Sequence, residues 1–318
     1  MINPGGISTI FRGTIMNKMI FVTALLGAFA AFQLTAASDA SAKDLKVLSD
    51  KTITGFGHIE SVGYDPRGKA LYASDFGPEL KSADKDGKGK ITKLSLDGKV
   101  LEDKFLPVNG QVLNKPKGIW IRGDRLWVTD IDSVWVFDLK TKEGKKLELP
   151  GITFANDVTW MKGVLYVSDN RSDQLVSVEP ADFLKSKTAP KITVLFKDKA
   201  INPNGVFPGK GGALLMVGLK DKDNPRAIYS MAKGKDPVAQ TDNFGLLDGL
   251  YQMRNGDILF TDWKTGSLTR WNKKDGMQKL AGDFKGPADF CAFPNEEGTF
   301  VAVPDLVKGE IRLIQLSR

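Results

Sequence analysis

The chain carries one cysteine, Cys291, among its 318 residues, so no internal disulfide braces it and the fold must hold on packing alone. It carries one histidine, His58. That scarcity, with no G-x-S-x-G stretch, argues against a serine hydrolase. After residue 32 no apolar run approaches the length of a membrane span. The net charge is +7, yet there is no long basic run and no interleaving of aromatic with basic residues. The lysines read as solvated strand faces, and no nucleic-acid partner is expected. Amphipathic helix patterning is also scarce: only "PADFLKSK" at 180–187 fits one or two helical turns.

The N-terminal region has a different composition. From Met16 a short positive segment with Lys18 leads into an apolar run, Met19 to Phe32, and then to Ala40-Ser41-Ala42. This is the three-part pattern of a secretory signal peptide. The expected organisation is a signal region over 1–42 and a single domain over 43–318. Export without disulfides fits a bacterial periplasm, and the mature chain is expected to be free of membrane spans.

"DKDGKGKI" at 84–91 resembles the start of an EF-hand loop, with Asp84 and Asp86 at the first two ligand positions. Lys88 stands at the fifth position and Ser95 at the twelfth. An ammonium group repels a cation and a serine cannot replace a bidentate carboxylate, so this stretch reads as a solvated loop.

The strongest signal is an internal repeat. "HIESVGYDPRGKALYASD" begins at 58, "NKPKGIWIRGDRLWVTD" at 114, "FANDVTWMKGVLYVSD" at 154, "NPNGVFPGKGGALLMVG" at 202, "LLDGLYQMRNGDILFTD" at 246 and "KGPADFCAFPNEEGTFVAVPD" at 285. Each has a small or polar opening, alternating apolar residues, a Gly-containing turn and a second apolar run, which is a β-hairpin pattern. One or two further strands follow each hairpin, as in "SVWVFDL" with "KKLELP". The unit is therefore a four-stranded blade and the expected fold is an all-β six-bladed propeller. "LKVLSD" at 45–50 and "EIRLIQL" at 310–316 are expected to complete one blade between them and close the ring.

The residues opening the six inner strands are Glu60, Lys117, Asn156, Asn204, Asp248 and Ala288, spaced by 57, 39, 48, 44 and 40. The first gap is long because 76–90 is an insertion within blade one. All six openings converge on one mouth of the central channel, and the second strands end there with Asp75, Asp130, Asp169, Asp262 and Asp305. Glu60, Asn156, Asn204 and Asp248 are all oxygen donors, a set suited to a hard divalent cation. Asn-Gly and Asp-Gly are also ordinary turn formers, but turn chemistry does not explain Glu60.

In this register the chain resembles the SMP-30/gluconolactonase/LRE-like family of six-bladed propellers, many of them metal-dependent lactonases. Glu60 and Asp65 match the family's E-G-P-x-W-D, Asn156-Asp157 its N-D pair, Pro203-Asn204-Gly205 its P-N-G and Asp248-Gly249 its D-G. The resemblance implies one divalent cation held by Glu60, Asn204 and Asp248, with Asn156 beside it in the substrate pocket. Ca²⁺ is the first expectation, with Mg²⁺, Mn²⁺ and Zn²⁺ as alternatives. Two departures stand out. Ser61-Val62 replace Gly-Pro, and Phe154 stands where sugar-lactone members carry an arginine. Lys117 is then the candidate to supply positive charge.

The expected function is a periplasmic metal-dependent hydrolase of a lactone or related ester acting on a small molecule. The cation polarises the carbonyl and Asp248 serves as ligand and base, while Asn156, Lys117 and His58 contact substrate. The alternative is a non-catalytic propeller that binds a small molecule or an envelope protein.

Overall fold

Alternating apolar residues broken by tight turns give short antiparallel strands, and the computed structural model has 24 of them among its described residues. It describes residues 44–296 and 298–318. The signal region 1–42 and the mature start at Lys43 lie outside these described residues. The strands form six four-stranded sheets, each antiparallel, in the arrangement of a six-bladed propeller. Five blades use consecutive strands: β2–β5 from Ile59 to Leu106, β6–β9 from Pro116 to Glu148, β10–β13 from Ala155 to Lys197, β14–β17 from Pro203 to Ala239, and β18–β21 from Leu247 to Ala281.

The sixth blade is built from β22 at Cys291–Pro294, β23 at Gly298–Asp305, β24 at Glu310–Ser317 and β1 at Val47–Ile53, in the order β1-β24-β23-β22, so β1 is the outer strand beside β24. The first and last described strands share one sheet, and the ring closes through six facing residue pairs between them rather than by a covalent tie.

Packing is between neighbouring blades. Among the described residues seven apolar clusters occur, six of them one at each junction: Trp127, Val136, Val158 and Val167 join blades two and three, while Ile59, Leu71, Phe293 and Leu313 join blades one and six. No helix forms at 180–187, where the chain is irregular with Phe183 buried in the blade two–three core. The two-turn expectation fails because Phe183 and Leu184 fill an interblade gap instead of one face of a helix. Among the described residues the helical content is one short 3₁₀ turn, Lys210–Gly212.

Candidate metal and ligand site at the propeller mouth

Five of the six inner strands begin with a one-residue bulge. Pairing jumps from Pro203↔Gly218 to Val206↔Met216, and equivalent jumps occur at Ile59/Ser61, Pro116/Ile119, Ala155/Val158 and Leu247/Leu250. The bulge lets two consecutive residues of each such blade serve the channel instead of one. The first is the opening residue. The second is Ser61, Gly118, Asp157, Gly205 or Gly249, with Asp289 in the equivalent place of blade six.

The three glycines of that second layer are required by proximity, not by turn geometry. A Cβ on Gly205 would lie 2.0 Å from the Asp248 carbonyl oxygen, and one on Gly118 would lie 2.6 Å from Asp157 Cα. A Cβ on Gly249 would lie 2.8 Å from Asp289 Cα. The strand starts are packed backbone to backbone around the axis. Across the closing junction, the Asp289 N–H donates to the Glu60 carbonyl at 3.0 Å.

The aspartates ending the second strands do not reach the mouth as expected. They are buried brackets for the preceding loop. Asp130 accepts from the Asn114 and Lys115 N–H groups, Asp169 from Thr153 and Phe154, and Asp305 from Lys285 and Gly286. Asp75 and Asp262 do the same for Gly57 and Leu246. A buried carboxylate accepting several N–H bonds holds a loop firmly. The residue after four of these five brackets faces the mouth: Phe76, Asn170, Trp263 and Leu306, with Leu219 after Gly218 in blade four; Ile131, after Asp130, is not in the wall.

The mouth is a cavity of ≈ 440 Å³ walled by these residues and, below them, by Glu60, Lys117, Asn156, Asn204 and Asp248. Five of the six opening residues thus meet as expected, and the sixth, Ala288, is buried against Phe76 and Leu306. His58 is not in the cavity wall; its ring Nδ1 lies 2.9 Å from the Leu306 carbonyl, bridging blades one and six. Asp65 is at the far end of its hairpin, accepting from the Arg67 N–H. Asp86 accepts from the fully buried Lys115 ammonium at 2.8 Å, so the EF-hand-like loop is tied to blade two by an ion pair. Asp84 stays at the surface.

Four oxygens in the mouth are buried with no hydrogen-bond partner among the described residues: Asn170 Oδ1 in the turn after Asp169, and Glu60 Oε2, Asn204 Oδ1 and Asp248 Oδ1 at the strand openings. The other polar atoms of Asn204 and Asp248 are committed. Asn204 Nδ2 donates to the Leu247 carbonyl at 3.1 Å, and Asp248 Oδ2 accepts from Trp263 Nε1 at 2.8 Å. An unmet buried acceptor costs about 1–3 kcal/mol, and several around one cavity call for a shared positive partner.

The charges agree. Burial, then Asp248 and Asp289, push the Glu60 carboxyl well above the usual carboxylate range. Burial and the nearby Asp289 raise Asp248 to about 7, and burial raises Asp289 to about 7. Asp157 is raised as well, by burial and by Asp289. Lys117, wholly buried, is lowered to about 8 by desolvation, with Glu60 acting in the opposite sense. Among the described residues no three His, Cys, Asp or Glu side chains gather as a metal cluster. The donors here are two carboxylates and one amide, which fits a hard, oxygen-preferring ion better than zinc.

Below the second layer the channel opens to a separate apolar cavity of ≈ 230 Å³ with Trp120, Phe207, Tyr251 and Cys291 in its wall. Asp157 and Asp289 stand at the boundary. The fold and mouth together define a six-bladed propeller with a polar, oxygen-lined cavity at one end.

No protein-family model matches the sequence, and no curated protein matches it. Solved structures do match in fold. A protein described as a putative gluconolactonase is 16% identical with a TM-score of 0.63, covering 86% of this chain and 94% of its own. Virginiamycin B lyase from Staphylococcus aureus is 13% identical with a TM-score of 0.58, covering 86% and 99%. A chain of a nidogen/laminin complex is 17% identical with a TM-score of 0.53, covering 70% and 79%. At these identities the likeness is one of fold, and the fold serves enzymes and binding modules alike.

Proposed function

We propose that this chain is an exported, metal-dependent hydrolase of the SMP-30/gluconolactonase kind, opening a lactone or related ester of a small molecule in the periplasm. One observation carries the reading: Glu60 Oε2, Asn204 Oδ1 and Asp248 Oδ1 are buried, unpartnered and in the wall of one cavity. They are the residues that would hold a divalent cation, Ca²⁺ first among those considered. A bound cation of this type supplies Lewis-acid polarisation of a carbonyl.

The chain's own groups do the rest. Trp263 fixes the plane of Asp248 through Oδ2, leaving Oδ1 as its oxygen open to the mouth. Asp248 orients the attacking water and accepts its proton. Asn156 and Lys117 face the same cavity and position the substrate. Phe76, Phe154, Trp263 and Leu306 exclude bulk water from the reacting bond.

Two neighbours in fold suggest other outcomes, elimination by a lyase or binding without turnover. One experiment separates all three. The protein is incubated with a panel of lactones and Ca²⁺, Mg²⁺, Mn²⁺ or Zn²⁺, and products are weighed by mass spectrometry. Hydrolysis adds one water to the substrate mass, elimination leaves the mass unchanged, and a binding protein yields no product. The proposal expects water addition that depends on the ion and is absent in Asp248→Asn.

A further inference from the structure

One wall of the mouth is cationic and lacks anions. Lys117 is fully buried, and among the described residues its only hydrogen-bond acceptor is the Lys115 carbonyl at 3.1 Å. Its ammonium nitrogen lies 4.2 Å from the Phe154 ring centroid. The Arg171 guanidinium lies 3.7 Å from the same centroid and donates to Ser82 Oγ at 3.1 Å. Lys220 is in the wall beyond. No carboxylate among the described residues is in ion-pair contact with Lys117, Arg171 or Lys220, whereas Lys115, Lys85 and Lys88 nearby each have one.

Two cations gathered on one aromatic ring repel each other, and the ring offsets only part of that. Glu60 is the carboxylate acting most strongly on Lys117. In the proposed function Glu60 and Asp248 together neutralise a divalent ion, so Lys117 keeps a buried charge with no carboxylate in contact, Asp130 and Asp169 acting on it only from a distance. A buried ammonium in that position needs an anion.

We infer that the ligand of this mouth is a monoanion, a carbonyl compound bearing a carboxylate that sits between Lys117 and Arg171 while its carbonyl faces Glu60, Asn204 and Asp248. A carboxylate matches the single buried charge, and the guanidinium fork of Arg171 suits its two oxygens. A phosphoryl group would bring nearly two charges. This inference rests on the proposed function for the placement of the carbonyl, but the carboxylate contact can be tested apart from it.

The probes are 3-oxocyclopentanecarboxylate, the neutral 3-oxocyclopentanecarboxamide and the corresponding phosphonate. None carries a lactone or ester bond. Their dissociation constants are measured by ligand-observed NMR with and without Ca²⁺, and Ca²⁺ binding is measured separately by calorimetry. The carboxylate is expected to bind about 10- to 100-fold more tightly than the amide, the range for a charge-assisted buried contact. Lys117→Met, which keeps apolar packing on Phe154, should abolish that preference. Arg171→Gln, at an exposed position, should reduce it several-fold and keeps the test valid if the buried variant fails to fold. Calcium binding with equal affinity for carboxylate and amide overturns this inference and leaves the metal site standing. A carboxylate preference that disappears in Lys117→Met without any calcium binding supports this inference and removes the metal site. Tighter binding of the phosphonate overturns the assignment to a carboxylate.

Discussion

Trp263 Nε1 donates to Asp248 Oδ2 at 2.8 Å, so an indole from the turn after one strand sets the plane of a carboxylate that opens another. Trp263→Phe removes the donor and leaves both Asp248 oxygens unmet. Outer partners of this sort are worth about 10- to 100-fold in metal affinity, and a loss in that range is expected for Ca²⁺. In the unmodified protein the same contact should make tryptophan fluorescence respond to Ca²⁺. A calcium-dependent signal that survives Trp263→Phe would show that the reporter lies elsewhere.

Stability without the ion should fall as the solution becomes more alkaline. Glu60, Asp157, Asp248 and Asp289 all hold protons more tightly than an ordinary carboxyl, chiefly through burial. The folded state therefore binds more protons than the unfolded chain, whose carboxyls titrate near ~4. This contribution is complete below that range and is lost as pH rises through about 7, the value for Asp248 and Asp289. Denaturant midpoints in EDTA should be higher at acidic than at alkaline pH. Added Ca²⁺ should flatten the trend by taking the place of the proton at Glu60 and Asp248.

The loop at 84–91 should matter for stability and not for the ion. Asp86→Ala leaves the buried Lys115 ammonium with only the carbonyls of Phe76 and Glu79, at a cost of about 1–3 kcal/mol. Asp84→Ala, at the surface, should change stability by less than about 0.5 kcal/mol. Calcium stoichiometry by calorimetry should be the same in both as in the parent. Loss of a calcium equivalent in either would move the ion to this loop.

Gly205→Ala tests the packing of the second layer. Its methyl would sit 2.0 Å from the Asp248 carbonyl oxygen, and the backbone there has no room to yield. Overpacking of this kind costs about 1–3 kcal/mol. Because the strain falls on a proposed ligand, calcium affinity should drop together with thermal stability. A variant as stable as the parent would mean the strand starts are looser than their spacing implies.

The blades were legible because alternation about a turn repeats six times, and Glu60, Asn204 and Asp248 fell in register with one another. Asp289 was not found. It lies one residue beyond Ala288, in the segment before the Cys291–Pro294 strand, whereas the bulge in the third blade brings Asp157 to the channel. A polar residue directly after an opening position is the signal that marks such a bulge in hindsight. Trp263, Asn170 and Arg171 were missed for another reason. They sit in turns after the bracket aspartates, where no periodicity operates, and long-range packing brings them to the mouth. The glycines at 205 and 249 read as turn formers in sequence, yet their role is clearance between neighbouring strands.

The most direct test is calorimetric melting of the parent, Glu60→Gln and Asp248→Asn, each with EDTA and with excess Ca²⁺. An ion bound only by the folded state stabilises it by about 2.7 kcal/mol at a hundred times its dissociation constant. The parent should therefore melt several degrees higher with Ca²⁺, while both variants, folded in EDTA, should show a much smaller rise. Equal calcium-induced shifts in all three proteins would contradict a cation held by Glu60, Asn204 and Asp248, and the hydrolytic role of Asp248 would fall with it.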